Sequence, residues 1–262
     1  MSLRYAEIYE VIKFIHRHID EPLSRLARYV SYSPFHFTRI FKEETGLTPQ
    51  HYISSLRLQK AKDLLLRTNL NVRDISLEIG QQSLGTFTTR FTERVGVTPF
   101  SFRSQALQAD NQLGSLKKLD ELHAPWPVVN DIASIKGTIR TEIPFEGVIF
   151  IGLFAKPIPE GLPLHGTLVF DSGEFSIADV NPGTYYLMAT SVTWGMRAAD
   201  FLLPHTTLRG RKREPIFVYP FTPVPHQEIL LSAPRLDDPP ILISLHVLMS
   251  NFLQRTRQNS NR

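Results

Sequence analysis

The sequence predicts a multidomain chain of α and β parts. An N-terminal all-α domain would hold two helix-turn-helix units joined by a long helix, and a β-sandwich with a terminal helix would follow. Three observations predict this. Proline is unevenly placed, with four residues up to position 108 and fifteen after it. Proline removes a backbone donor and breaks helices, so the first part can be largely helical and the second cannot. Charge divides at the same place, with 15 Lys and Arg against 10 Asp and Glu up to residue 108, and 14 against 15 beyond it. The third observation is a repeat. A shift of fifty residues lays Phe37-Thr38, Phe41, Glu43, Gly46 and Thr48-Pro49 on Phe87-Thr88, Phe91, Glu93, Gly96 and Thr98-Pro99, so one supersecondary unit is built twice.

The helical elements follow in order. Tyr5 to Ile19 is an amphipathic opening helix. Pro22 suits a first helical turn, and Leu23, Leu26, Ala27 and Val30 then form an apolar stripe at helical spacing. Ser31-Tyr32-Ser33-Pro34 supplies a turn, with Ser33 as N-cap and Pro34 at the first helical position. The next helix runs from Phe35 to about Glu44 and stops at Gly46. Thr48-Pro49 opens a long helix to about Arg67. The second copy has Val72, Ile75 and Ile79, a turn at residues 80–83, and a helix from Leu84 to Val95. Upstream of the repeat the register slips by one, as an extra residue in the second turn would cause. Short helices crossing through a tight turn on a basic domain suggest DNA binding, although helix pairs are also common packing motifs.

These residues resemble the AraC/XylS family of bacterial transcription regulators. The first signature is Leu26-Ala27, Phe37-Thr38-Arg39-Ile40-Phe41-Lys42, Gly46-Leu47-Thr48-Pro49, Tyr52, Arg57-Leu58, Ala61 and Leu64-Leu65. The second is Ile75, Ile79-Gly80, Phe87-Thr88, Phe91, Gly96-Val97-Thr98-Pro99 and Phe102-Arg103. The resemblance covers about residues 5–105 and implies two recognition helices in successive major grooves of double-stranded DNA.

A recognition helix presents its N-terminal outward residues to base edges. In the first copy these are Phe35, His36, Thr38 and Arg39. Arg39 can donate a bidentate pair to a guanine, worth about 1–3 kcal/mol of discrimination, and Phe35 can rest on a thymine methyl. The alternatives are a core Phe35 and an Arg39 paired with Glu43 one turn on. The second copy departs from the pattern. Gln81 stands where the family usually has an aromatic, Thr89 stands at the place of Arg39, and Gly85 weakens the helix. Leu84, Gly85, Thr88 and Thr89 are then the base-facing candidates, none able to grip a guanine bidentately. The first helix is expected to carry most base specificity and the second to position the complex. Candidate phosphate contacts are Arg57, Lys60, Lys62, Arg73, Thr86, Arg90 and Arg103, with a solvated face as the alternative for each.

The expected division is 1–108 for the helical domain, 109–130 for a linker and 131–262 for the β domain. Leu116, Leu119 and Leu122 would line a short helix within the linker, which ends in Ala124-Pro125-Trp126-Pro127. From residue 131 short β-rich runs alternate with Pro and Gly turns, which favours a sandwich. Gly173 to Ile177 and Tyr185 to Leu187, around Pro182-Gly183, read as a hairpin and resemble a prealbumin-like, carboxypeptidase regulatory-like sandwich. Pro239-Pro240 introduces a helix from Ile241 to Gln254. Trp126, Tyr185, Tyr186, Trp194 and Tyr219 either line a ligand pocket or pack the core. Arg209-Gly210-Arg211-Lys212-Arg213 is either a solvated basic loop or a phosphate contact. Asp171, Glu174 and Asp179 suggest a cation site or ordinary turn polarity.

Composition limits the remaining options. With 42% apolar and 21% charged residues the chain is an ordinary globular one. The absence of cysteine excludes disulfide scaffolds, thiol catalysis and Cys-ligated zinc. The first residues carry no apolar signal core, and the longest apolar run, Gly147 to Ala155, falls far below the ~18 residues of a membrane span; a cytoplasmic protein without a membrane partner is expected. No phosphate-loop, nucleophile-elbow, zinc-protease or dinucleotide motif occurs, so the expectation is no enzyme, no cofactor and no metal. The β part would receive a small-molecule or protein effector, or serve only as an interaction platform. RNA polymerase and a second copy of the chain remain open as partners.

Overall fold

A computed structural model describes residues 3–105, 109–121 and 134–260. The first helix-turn-helix unit comprises α1 (Leu3–Arg17), α2 (Leu23–Tyr29) and α3 (Pro34–Thr45), and α4 (Pro49–Arg67) leads to the second, α5 (Val72–Glu78), α6 (Leu84–Val95) and α7 (Pro99–Gln105). The repeated residues build the same ends twice. Ser33 Oγ accepts from His36 N, and Ser83 Oγ accepts from Thr86 N. Gly46 and Gly96 close the helices in the left-handed conformation, at φ 83° and 91°, which glycine adopts without a Cβ clash. The two turns differ as the register slip predicts: residues 30–33 separate α2 from α3, and residues 79–83 separate α5 from α6. The left-handed turn residue is Ser31 in one and Gly80 in the other.

Ile8, Val11, Ile12 and Ile15 of α1 pack with Leu26, Phe37, Ile40, Phe41 and Tyr52 in the core of the first unit. The second unit is centred on Ile75, Phe87, Phe91 and Phe102. After it come α8 (Ala109–Glu121), β1 (Ile135–Thr141), β2 (Gly147–Phe154), β3 (His165–Val169), β4 (Gly173–Ile177), β5 (Gly183–Thr193), α9 (Ala198–Leu202), β6 (Arg209–Arg211), β7 (Ile216–Val218), β8 (Gln227–Leu231) and α10 (Leu245–Ser260). Leu113 and Leu116 of α8 are buried. Residues 106–108, where the expected helical domain ends, lie outside the described residues, as do Leu122 and Trp126.

The strands form a two-layer sandwich. One sheet has the order β4-β1-β8, and the other β3-β2-β5-β6, with β7 also pairing β5. Ile135, Ile139, Phe175 and Ile229 of the first sheet meet Ile149, Ile151, Leu153 and Leu187 of the second in the sandwich interior. All eight residues of β2 are buried, because the larger sheet is covered on both faces. Val148, Phe150, Leu168 and Val192 point the other way and share one core with the second helix-turn-helix unit, α8 and α10.

Three expectations are corrected here. The hairpin around Pro182-Gly183 is not formed: β4 pairs with β1, and β5 pairs with β2, β6 and β7. Residues 178–182 instead carry the chain from one sheet to the other, with Asp179 at φ 54° and Val180 buried in the interior. The terminal helix begins at Leu245 rather than Ile241. The backbone of residues 241–244 is committed elsewhere: Ile241 O accepts from Lys62, Leu242 N and Ile243 N donate to Pro159 O, and Ser244 N donates to Val95 O. Arg209 to Arg211 is a strand, not a loop, and it places both arginine side chains on one face. Of the aromatics, Tyr185 is buried in the sandwich, Trp194 packs on the shared core, and Tyr219 is exposed.

Candidate nucleic-acid interface

The N-terminal ends of α3 and α6 are the open ends of these helices. Phe35 is 83% exposed, so it is not a core residue. His36 packs edge-on against Tyr32, and its Nδ1 lies 3.3 Å from Arg39 Nη2. Thr38 Oγ1 donates to Pro34 O. Arg39 Nη1 meets Glu43 Oε1 at 3.0 Å, with both side chains about half exposed. An exposed pair of this kind contributes about 0–1 kcal/mol, so Glu43 holds Arg39 only weakly. On α6, Leu84, Gly85, Thr86 and Thr89 are exposed and Thr88 is partly buried. A Cβ at Gly85 would meet nothing nearer than Ser83 Oγ at 4.0 Å, so packing does not require glycine there. Thr86 Oγ1 donates to Ser83 Oγ.

The basic candidates separate sharply. Arg73 lies exposed on α5. Lys60 pairs with Glu78 at 3.0 Å. Arg90 donates to Gln81 Oε1 across the second turn. Arg57 reaches Asp20 Oδ1 and Ile19 O, tying the end of α1 to the turn at Gly80. Arg103 donates to Leu65 O and Leu70 O, bracing the end of α4. Lys62 is a correction. It is 1% exposed, its Nζ donates to Ile241 O and lies over the Phe102 ring, and no phosphate reaches it there.

Burial lowers the pKa of Lys62 to about 7, with nearby Arg209 adding to the shift and Asp63 opposing it. The unfolded chain keeps this proton up to its ordinary value near 10.5, so the destabilisation is full below pH 7 and fades as pH rises toward 10. Lys62→Met leaves Ile241 O without its donor, at a cost of about 1–3 kcal/mol at any pH. It also removes the buried cation, so its stability relative to the parent chain is expected to rise as pH falls from 10 to 6. Denaturant unfolding of both chains at pH 6 and pH 10 measures this, and an equal difference at the two values would show that Lys62 is not held back from its proton.

The β region covers the opposite, C-terminal ends of both helices. Residues 157–162, between β2 and β3, form a strap across them. A Cβ on Gly46 would lie 2.9 Å from Pro157 Cγ, and one on Gly96 would lie 3.7 Å from Leu162 Cδ2. Gly161 N donates to Arg94 O at 2.7 Å. Between these points Glu160, its side chain 6% exposed, accepts from Arg94 Nε at 2.5 Å and from Lys156 Nζ at 3.1 Å. His51 Nε2 lies 3.0 Å from Glu160 Oε2 and 2.9 Å from Arg94 Nη2, and Arg94 also donates to Ser54 and Ser55 of α4. Sequence reasoning missed this cluster: Glu160 is 66 residues from Arg94 and 109 from His51, and no local pattern links them. Among the described residues no His, Asp and Glu cluster suits a metal, and no helix is long and apolar enough to cross a membrane.

Residues 26–105 match the family model described as a helix-turn-helix domain. Over 98 residues the chain is 38% identical to YobQ of Bacillus subtilis, an uncharacterized HTH-type transcriptional regulator, covering 37% of this chain and 41% of that one. Over 107 residues it is 31% identical to AdaA of the same organism, a bifunctional transcriptional activator and DNA repair enzyme, covering 40% of this chain and 51% of that one. The chain thus spans about half the length or less of these curated relatives. A transcriptional regulator from Chromobacterium violaceum, described as containing an AraC-type DNA-binding domain, is 29% identical, covering 38% of this chain and 91% of that one at a TM-score of 0.36.

Proposed function

We propose, from the helix-turn-helix domain that residues 26–105 form, that this chain is a sequence-specific DNA-binding transcription regulator of AraC type. The observation that carries the reading is the polarity of the two second helices: their N-terminal ends are open while the strap covers both C-terminal ends. In this reading α3 and α6 enter successive major grooves, and α4 sets the distance between them. Arg39 reads a guanine, Phe35 meets a thymine methyl, and Arg73 approaches phosphate, whereas the threonines of α6 mainly fix the register. The β region receives an effector in preference to serving as a bare platform, a reading supported by the cavity on its helix-covered face. The sandwich is read as prealbumin-like on its Gly173-Glu174-Phe175 strand and Pro182-Gly183 step.

Selection of bound sequences from random duplex DNA with the full chain, followed by a salt titration of the best site, tests the reading. The expected result is a motif of two elements about one helical turn apart, with affinity falling steeply as salt rises. An enriched pool with no common motif, or binding insensitive to salt, would overturn it.

A further inference from the structure

A cavity of about 190 Å³ lies between the outer face of the larger sheet and the chain leading into α10. Its floor follows from the strand register. Gly166 of β3, Gly152 of β2, Met188 of β5 and Arg211 of β6 stand in one cross-strand row, and Leu168, Phe150, Thr190 and Arg209 stand in the next. The two paired glycines give their space to neighbours: a Cβ on Gly152 would lie 2.8 Å from Phe154 Cε2 and 3.0 Å from Pro163 Cβ, so the open part of the floor lies over the second row and Met188. Ile241, Leu245, Leu248 and Phe252 close the opposite side.

The wall is mainly apolar, with Arg209, Arg211 and Asp238 as its charged side chains and His165, Thr167, Thr190 and Asn251 as further polar ones. Neither Arg209 nor Arg211 meets a carboxylate within salt-bridge distance among the described residues. Arg209 donates to Thr207 O and Pro204 O, and Arg211 donates from Nη1 to Thr45 O at 3.3 Å. A guanidinium has five N–H donors, so most of this capacity is unused. The nearby acids are engaged: Asp238 at the rim accepts from Arg235 N, and Asp237 accepts from Tyr5 Oη and from Arg235 Nε. Burial holds both arginines below the ordinary arginine pKa. The Asp238 charge acts on both arginines, but from beyond salt-bridge distance, so two withdrawn guanidinium groups share a distant carboxylate, and a bound carboxylate is their geometric complement.

We infer that this cavity binds a small organic monocarboxylate with an apolar body, the carboxylate on Arg209 and Arg211 and the body against Phe150, Met188, Leu245 and Leu248. The volume exceeds the ~150 Å³ that holds benzene in an engineered apolar cavity, so one ring or a short aliphatic chain fits. The ligand would touch both lines that lead to the recognition helices. Arg211 holds the last turn of α3 through Thr45 O, and Pro159 and Leu162 in the cavity wall belong to the strap. The regulatory half of this inference rests on the DNA-binding reading; the binding half does not.

The test is thermal unfolding of the full chain, without DNA, in phenylacetate and hexanoate at pH 7, against phenylacetamide and hexanamide. The expected result is a melting temperature raised by about 5–10 °C by at least one acid at a hundredfold excess over its Kd, with its amide giving no rise. Arg211→Gln and Arg209→Gln should each abolish the rise. If one of these variants does not fold, the other decides. Equal rises from acid and amide would overturn the role of the arginines, and no rise from either acid would overturn the site. DNA affinity with and without the effective acid is the second arm. A melting shift in a chain that binds no DNA leaves the site standing and removes the regulator; DNA binding unchanged by a bound acid overturns the regulatory half.

Discussion

Replacing Glu160 by alanine is expected to destabilise the chain by about 3–5 kcal/mol, because it leaves the Arg94 guanidinium buried without its counter-charge. Arg94 would keep its serine and histidine partners, which satisfy N–H groups but do not neutralise it. The pH dependence carries the same signature. Burial by itself pushes the Glu160 carboxyl up, but the His51 hydrogen bond and the Arg94 charge outweigh it and hold the pKa at about 2, against an ordinary 4.5. A carboxyl depressed in the folded state stabilises fully above pH 4.5, and this contribution is lost as pH falls toward 2. Glu160→Gln should therefore flatten the acid limb of the stability curve between those values, in urea unfolding measured from pH 2 to pH 6. An acid limb identical to that of the parent chain would show that the cluster contributes nothing.

The second large effect is on DNA. Arg39→Ala is expected to lower discrimination at one base pair by about 1–3 kcal/mol, the value of a bidentate guanine contact, and to leave discrimination elsewhere intact. Thr89→Ala, at the matching position of α6, should change sequence preference far less, since a threonine hydroxyl forms no such pair. Repeating the sequence selection with both variants measures this. A larger change from Thr89→Ala than from Arg39→Ala would reverse the assignment of the two helices.

Local information was legible in the chain, and information that depends on distant partners was not. Ser33 and Gly46 announce in the sequence the caps that they make in the fold. The extra turn residue was readable as a slip in the repeat. Lys62 was misread because helical spacing shows which residues share a face but not what later covers it; here the covering group is Ile241 O, 179 residues away. The false hairpin had sound turn residues, yet a turn does not state which sheet the next strand joins. Arg209 and Arg211 looked like a solvated run because five basic or small residues in succession hide a strand's alternation. At the candidate interface, Phe35 and Arg39 were legible as the outward start of a helix. The engagement of Arg103 and Arg57 with backbone oxygen needed coordinates.

In the proposed mode of binding, the strap at residues 157–162 also bears on the DNA. Two readers hinged only through α4 could each tilt to follow a straight duplex. Readers wedged apart at both rear ends have a fixed pitch, so the mechanical work of fitting passes to the double helix. Bending a site of about 20–30 base pairs by about 40–90° costs about 1–6 kcal/mol, and the amount depends on how easily its steps kink. In the proposed mode, base pairs between the two recognised elements would then contribute to affinity through stiffness alone, although no side chain touches them.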